Sequence, residues 1–361
     1  MSRILRLWAT TGLIAATVLT ALVFAVAGSA GQQQSGPLVI GGEQIASAQL
    51  YELAKREGEL VAYMSYPNAI MREVTKQFTT DTGIKLSLTS LPSDQLSERV
   101  LTEWGAKQLK ADVLSFSERA TMQSFVANGI LTPWIVPRFK EIPDKFKNPK
   151  GYYYAQAVIV VGISFNKAFV KGGDLPRTWK ALLDPKWQGK VGMTTAYTGG
   201  LGWTTAMFTR QKFGLDYWKK LAAQKPFLAS GVGQVTDALV RGQIHIAINH
   251  LGTVRRQSVA GAPLGFYFPR EGSPSVIESV GMTSTASHSR AARLFLNWVM
   301  SRYGQRVFAK LSSEYTVYPD IVGPGMPKSA RAALWYPKLK DYIKLRKQWL
   351  DEWGRTFNYT P

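Results

Sequence analysis

The chain has 361 residues, of which 45% are hydrophobic and 19% charged, a formal net charge of +20 and no cysteine. This composition excludes a fibrous or disordered protein, and it excludes disulfides, zinc–thiolate sites and a cysteine-linked lipid anchor. The residues past the first thirty suffice for two domains of ordinary size. The positive charge favours anionic ligands or surfaces.

The first thirty residues have the pattern of an export signal. Arg3 and Arg6 precede an apolar run over 7–27, and Ala25-Val26-Ala27 offers an Ala-x-Ala cleavage site. The pattern predicts a cleaved signal over 1–30 and a periplasmic protein. The alternative is an uncleaved membrane anchor, because the run approaches the roughly 20 residues that span a bilayer. The polar residues 31–42 predict a linker, and the exported location argues against nucleic acid as a partner.

From residue 43 onward, apolar periodicity predicts alternating helices and strands. Gly58 stands where a helix C-cap is needed. The predicted helices of the first block are 43–57, 69–80 and 93–108, and its strands are 60–64, 85–91 and 111–116. This alternation predicts a mostly parallel α/β sheet.

Two long extended segments, 152–165 and 264–282, bracket a second block of the same type. That block has predicted helices over 179–183, from 203 onward and over 237–241, strands over 190–193 and 245–248, and a loop over 194–202. Helices over 289–300, 303–311 and 342–353 complete the chain. The arrangement predicts a chain that crosses into a second domain and returns.

Several sequence segments along the chain resemble those of a known family. They are Ala54-Lys55-Arg56-Glu57-Gly58-Glu59-Leu60-Val61-Ala62-Tyr63, the stretch from Leu175-Pro176-Arg177-Thr178-Trp179 through Gly192, the stretch 242–249 ending in Ile248-Asn249, and Ser313-Glu314-Tyr315-Thr316-Val317-Tyr318-Pro319. The sequence resembles the periplasmic solute-binding proteins of ABC importers, in the branch that contains ferric-iron, thiamine, polyamine and phosphonate binders.

The resemblance implies an α/β protein of the two-lobe periplasmic-binding type II fold, with two extended crossovers and a ligand cleft between the lobes. Lobe one would comprise 43–157 plus 275–361, and lobe two 158–274. The implied role is non-catalytic capture of a small molecule, with no cofactor, and its delivery to an ABC permease with its ATPase. Membrane contact would occur only through the permease or an uncleaved anchor.

Ligands of open α/β sheets bind beyond the carboxyl ends of the strands, where helix N-termini favour anions. Four polar loops follow predicted strands, so we expect them to line the cleft. Their candidate ligand-binding residues are Ser65, Tyr66, Ser115, Ser117, Thr194, Thr195, Tyr197, Thr198, Gly199, Asn249 and His250. Hydroxyls and glycine suit an oxyanion, which favours a phosphonate, an organophosphate or a carboxylate. The alternative is that each loop is an ordinary cap or turn.

Other ligands and functions stay open at this point. If the tyrosine pair of ferric-binding relatives aligns after Asn249, its places hold Leu251 and Gly252, so we expect no metal site of that type. Glu118 and Glu278 are acids that could face the cleft, as a polyamine would require. No Gly-x-Ser-x-Gly or His-Glu-x-x-His motif occurs. An exported hydrolase and a receptor for a sensor kinase remain the alternatives of another class.

Overall fold

The computed structural model describes residues 36–65 and 68–361. The predicted export signal, the start of the predicted linker and Tyr66 lie outside the described residues. No helix of the described ranges is both long and apolar enough to cross a membrane.

The strands are β1 (Leu38–Ile40), β2 (Glu43–Ala46), β3 (Glu59–Met64), β4 (Lys85–Ser90), β5 (Val113–Phe116), β6 (Leu131–Thr132), β7 (Tyr154–Asn166), β8 (Val191–Thr194), β9 (Phe227–Ala229), β10 (Ile246–His250), β11 (Leu264–Tyr267), β12 (Ser273–Thr283) and β13 (Leu334–Trp335). The α-helices are α1 (Ala48–Glu57), α2 (Asn68–Thr82), α3 (Ser93–Gly105), α4 (Arg119–Ala127), α5 (Gly199–Phe213), α6 (Leu215–Ala223), α7 (Val232–Val240), α8 (Leu251–Val259), α9 (Ser289–Met300), α10 (Arg302–Ser312), α11 (Leu339–Lys344) and α12 (Arg346–Phe357).

One sheet runs through the molecule in the order β4-β3-β5-β12-β7-β10-β8-β9. β3 pairs in parallel with β4 and β5, and β8 pairs in parallel with β9 and β10. β7 and β12 lie between these two parallel groups and are antiparallel to their neighbours. The expectation of alternating helices and parallel strands is therefore met in both blocks.

β7 passes from one hydrophobic core to another. Val160 packs in a core with β3, β12, α9 and α10, whereas the next residue, Val161, packs in a core with α5 and α6. All 13 residues of β7 and all 11 of β12 are buried. Side chains that alternate across such a strand have no solvent-facing side, which explains the near-continuous apolar sequence.

Three element boundaries differ from the sequence-based expectation. β1 and β2 pair as an antiparallel hairpin, so the predicted linker contains a strand and the helix predicted from 43 begins at Ala48. α5 begins at Gly199 within the predicted loop 194–202, and α7 begins at Val232 rather than at 237. Glycine-rich sequence argues against helix locally, but a Cβ on Gly202 would lie 2.1 Å from the Thr195 carbonyl oxygen. Close packing therefore requires glycine inside this helix.

The C-terminal helices pack on the second core, although the sequence assigned 275–361 to lobe one. Tyr342, Trp353 and Phe357 are buried in the core that contains Trp203. Arg210 of α5 donates to Glu352 of α12 at 2.8 Å. The lobe boundaries stay a prediction. The core that the C-terminal helices cover could not be read from the sequence, because an apolar stripe on a helix does not specify which core it covers.

We expect Trp353→Ala to lower the free energy of unfolding by about 3–5 kcal/mol, because it removes a buried indole that stacks on Phe357. Urea unfolding followed by circular dichroism measures the change. Lys347→Ala is the control, since its side chain is 92% exposed, and its cost should stay within about 0.5 kcal/mol. Equal costs for the two variants would contradict the docking of α12.

Candidate functional site

Two adjoining cavities lie where the loops of both parallel groups meet. The first, of about 360 Å³, is called the hydroxyl cavity, and it is bordered by Ser65, Pro92, Ser93, Asp94, Gln95, Ser117, Thr195, Tyr197, Thr198, Gly199, Gly200, Leu201, Ser230, Tyr359 and Pro361. The second, of about 330 Å³, is called the glutamate cavity, and it is bordered by Ser65, Ser90, Leu91, Pro92, Ser117, Ile159, Leu201, Val232, Gly233, His250 and Glu278. The two cavities share Ser65, Pro92, Ser117 and Leu201, and together they form the candidate site.

Helix N-termini from both groups border the hydroxyl cavity. α5 begins there at Gly199, and α3 begins there at Ser93. Thr198 precedes α5 but makes no side-chain cap on it; its hydroxyl is 2.9 Å from the Thr195 hydroxyl instead. Uncapped first-turn N–H groups carry partial positive charge and attract anions. Asp94 opposes this effect, although its exposure to solvent screens the charge.

The loops that border the site are in direct contact across it. A Cβ on Gly200 would lie 2.5 Å from the Ser117 carbonyl oxygen, and one on Gly199 would lie 3.6 Å from the Ser93 Cβ. Gly199 also has φ +46°, in the left-handed region that favours glycine. The structure therefore represents a closed cleft, and glycine at 200 permits the closure.

A buried hydrogen-bond network forms the base of the glutamate cavity. The Ser115 and Ser65 hydroxyls donate to Oε1 of Glu278 at 2.6 and 3.2 Å. Each serine oxygen in turn accepts a hydrogen bond, from Gln156 Nε2 at 2.7 Å and from the Ser117 backbone N–H at 3.0 Å. Glu278 Oε2 receives the Ser65 hydroxyl at 3.5 Å.

Burial raises the pKa of Glu278 to about 7, because the carboxylate loses its hydration and the serine hydrogen bonds lower the pKa by less. The Glu278 side chain is buried. A carboxyl group with such a pKa changes its protonation state near neutral pH, which makes it a candidate functional group.

His250 borders the same cavity, but its ring nitrogens are engaged by protein groups. Nε2 contacts a carboxylate oxygen of Glu314, and Nδ1 lies 3.0 Å from the Thr253 hydroxyl. Since Glu314 follows α10 and His250 precedes α8, the pair links the ends of these two helices. The ring therefore has a structural role.

The structure brings most of the predicted residues together. Ser65, Ser117, Thr195, Tyr197, Thr198, Gly199 and His250 border the cavities. Ser115 lies beneath them in the Glu278 network, whereas Asn249 is buried with its Nδ2 on the Thr236 hydroxyl at 3.1 Å, and Thr194 ends β8 without bordering either cavity. The Tyr197 hydroxyl donates to the Leu350 carbonyl, so that only its ring faces the site. A role in binding stays a prediction for each of them.

Sequence reasoning missed several bordering residues. Ser93 follows strand β4 and begins α3, so the rule applied to the other loops would have found it. Tyr359 carries no such signal, because it reaches the cavity through its stacking on Tyr197, at 5.8 Å between ring centroids. Of the two acids left open, Glu278 borders the cavity, whereas Glu118 pairs with Arg346 at 2.9 Å.

Residues 60–311 match the family described as bacterial extracellular solute-binding proteins. The chain belongs to this family. Iron uptake protein A1 of Synechocystis sp. is 25% identical over 79% of this chain and 84% of the relative. Among solved structures, AfuA of Actinobacillus pleuropneumoniae with bound fructose 6-phosphate is 22% identical, covers 84% of this chain and 100% of its own, and gives a TM-score of 0.72. Iron-bound HitA of Pseudomonas aeruginosa is 18% identical, covers 82% and 99%, and gives a TM-score of 0.70.

These likenesses confirm the predicted two-lobe type II fold and the predicted family. The solute-binding protein is thus the substrate-binding component of an ABC importer. A family of binding proteins agrees with the expected non-catalytic role at this coarse level.

The places where the ferric tyrosine pair was expected to align carry no phenolate. Leu251 is fully buried, and a Cβ on Gly252 would lie 2.0 Å from Glu314 Oε1. Within the described ranges no three His, Cys, Asp or Glu side chains cluster closely enough to hold a metal ion. Leu251 and Gly252 therefore offer no phenolate oxygen, and the absence of a two-tyrosine iron site stays a prediction.

We expect ferric citrate to give no tyrosinate-to-iron charge-transfer band in the visible spectrum of this solute-binding protein, because phenolates are the hard anionic ligands that such a site needs. Titration of the purified protein with ferric citrate tests this. A stable coloured complex that is lost in Tyr66→Phe or Tyr197→Phe would restore iron as the ligand.

We expect Glu278→Gln to change how stability depends on pH. The raised pKa of Glu278 means that the folded state binds the proton more tightly than the unfolded state, so the wild type loses stability as pH rises from about 5 through 7. The variant has no such titration. Its free energy of unfolding relative to wild type should rise by roughly 2–3 kcal/mol between pH 5 and pH 8.

Urea unfolding at several pH values measures this difference, with Asp94→Asn as an exposed-acid control that should show little change. A pH-independent difference between Glu278→Gln and wild type would show that Glu278 titrates normally.

Proposed function

We propose that this protein captures a small anionic solute in the periplasm and delivers it to an ABC permease with its ATPase. The phosphonate, organophosphate and carboxylate classes are the candidates. The observation that carries the proposal is the hydroxyl cavity, where the uncapped start of α5 and the start of α3 meet beside a set of hydroxyl groups. Delivery to a permease follows from membership of the family.

The chemistry of the cavity supports an anion. The Ser93 and Ser117 hydroxyls are 2.8 Å apart, and the Thr195 and Thr198 hydroxyls face the same space. Hydroxyls can rotate to donate to an oxyanion, and helix N–H groups add further donors. No Lys or Arg side chain of the described residues borders either cavity. Affinity would therefore come from hydrogen bonds and helix dipoles, while the net charge of +20 attracts the anion from solution.

The N-terminal pattern supports the location. Arg3, Arg6 and the apolar run over 7–27 are typical of an export signal. Relatives named as periplasmic iron-binding and polyamine-binding proteins fit an exported protein.

Ferric iron is the second candidate, because an iron uptake protein of Synechocystis sp. and iron-bound HitA are among the similar proteins. A ferric chelate would still be compatible with an anion site, since the chelator supplies the charged oxygens. The absence of the tyrosine pair at Leu251 and Gly252 favours an anion over bare iron.

We expect Thr198→Val to weaken binding of an anionic ligand by roughly 10- to 150-fold, because a charge-assisted hydrogen bond contributes about 1.5–3 kcal/mol. Calorimetry with inorganic phosphate, methylphosphonate, fructose 6-phosphate and succinate identifies the ligand class. Thr205→Val is the matched control, since the Thr205 hydroxyl bonds to the Leu201 carbonyl within α5, and its affinity should stay within about twofold.

A Thr198→Val variant that loses stability but keeps its affinity would show that the loop is only a turn. Binding of none of the anions, together with binding of spermidine, would overturn the proposed ligand class.

A further inference from the structure

Resting on the proposed anionic ligand, we propose that Glu278 is the specificity-determining residue of the cleft. In its neutral form it hydrogen-bonds a hydroxyl of the ligand. The solute is thus an anion that carries hydroxyl groups, and it binds with uptake of a proton above neutral pH. The hydroxyl cavity takes the charged end and the glutamate cavity takes the hydroxyl-bearing end.

The two cavities differ in chemistry. Hydroxyls and helix N-termini border the hydroxyl cavity, whereas the glutamate cavity has apolar walls from Leu91, Ile159, Leu201 and Val232. Glu278 is the acid that borders the apolar part, and it is buried. A ligand that fills both cavities therefore needs one charged end and one end with few, well-placed polar groups.

The network around Glu278 lacks hydrogen-bond donors. The Ser65 and Ser115 hydroxyls both donate to Glu278 Oε1, so Glu278 Oε2 has only the 3.5 Å contact with the Ser65 hydroxyl. Gln156 Oε1 is buried without a hydrogen-bond partner among the described residues. A proton on Glu278 supplies one donor to a network with surplus acceptors, and a buried acceptor without a donor costs about 1–3 kcal/mol. The shortage of donors and the pKa of about 7 therefore both indicate that the Glu278 carboxyl is neutral near pH 6.

Among the described residues, no cation pairs with Glu278 to hold it as a carboxylate. β5 and β7 flank it and contain no charged residue. The charged groups on the helices packed against β12 are Arg119 of α4, Arg210 and Lys212 of α5, and Arg290 and Arg293 of α9. Arg119 donates to the Lys145 carbonyl and Arg210 pairs with Glu352. Arg290 and Arg293 border a separate groove beside α1.

The further titratable side chains that border the site are His250, Asp94, Tyr197 and Tyr359. His250 is engaged by Glu314 and Thr253, and Asp94 lies at the exposed end of the hydroxyl cavity. An anion bound nearby disfavours a second negative charge at Glu278, so binding raises the pKa of Glu278 further. Since the neutral form is the competent one, affinity falls by about tenfold from pH 6 to pH 8.

The test is calorimetry with glycerol 3-phosphate, which has two hydroxyls, and propyl phosphate, which has none. Titrations at pH 6 and at pH 8, the latter in both HEPES and Tris, give affinity and the number of protons exchanged. Wild type should bind glycerol 3-phosphate at least tenfold more tightly than propyl phosphate and take up close to one proton at pH 8. The phosphate group of the ligand also exchanges protons, but this contribution is the same for every protein variant and cancels when the variants are compared.

Glu278→Gln retains a neutral donor, so it should bind glycerol 3-phosphate with no proton uptake beyond that of the phosphate and without the tenfold pH effect. Glu98→Gln makes the same charge change at an exposed position of α3 that borders neither cavity, and it should keep the wild-type proton uptake. Equal affinity for the two phosphates, or unchanged proton uptake in Glu278→Gln, would overturn the role of Glu278 while leaving the anion site intact. Binding of neither phosphate would overturn the proposed function itself.

Discussion

The antiparallel pairing of β7 with β12 is the constraint on which the rest of the structure depends. Residues from Ser275 to Val280 pair with Val160 back to Tyr154, with a bulge after Glu278. Because each strand is fully buried, neither can shift register without moving apolar side chains into contact with water or with the wrong core. The pairing therefore fixes how the two parallel groups of strands face each other across the cleft.

The position of the ligand site follows from that pairing. Parallel strands direct their carboxyl ends toward the same edge, and the loops after β3, β5 and β8 meet there. Helix N-termini follow these loops, so donors accumulate at one place without a Lys or Arg side chain from the described residues. Gly200 permits the final approach to Ser117, where any Cβ would collide with the backbone.

The pairing of β7 with β12 also concerns the chemistry of the site, because its bulge lies beside Glu278. Glu278 occupies a strand position that its neighbours on β12 fill with apolar or hydroxyl side chains, and its Oε1 accepts hydrogen bonds from Ser65 and Ser115. A buried acid without a cationic partner stabilises the fold less than an apolar residue would. Such a cost is typical of residues kept for binding rather than for packing. His250 differs from Glu278 in this respect, because both of its ring nitrogens are engaged by the side chains of Glu314 and Thr253.

The sequence by itself determined the family, the α/β alternation and the two long crossing segments, since these depend on local periodicity and on phrases such as 183–192. It also identified the Ser65, Ser117 and Thr195–Gly199 loops, because polar residues directly after apolar strands are visible in the chain. Only the tertiary structure decided that Glu278 borders the glutamate cavity, that Asn249 is buried and donates to Thr236, and that α12 covers the second core. The physical reason is that these outcomes depend on contacts between residues far apart in the chain, which no local pattern specifies.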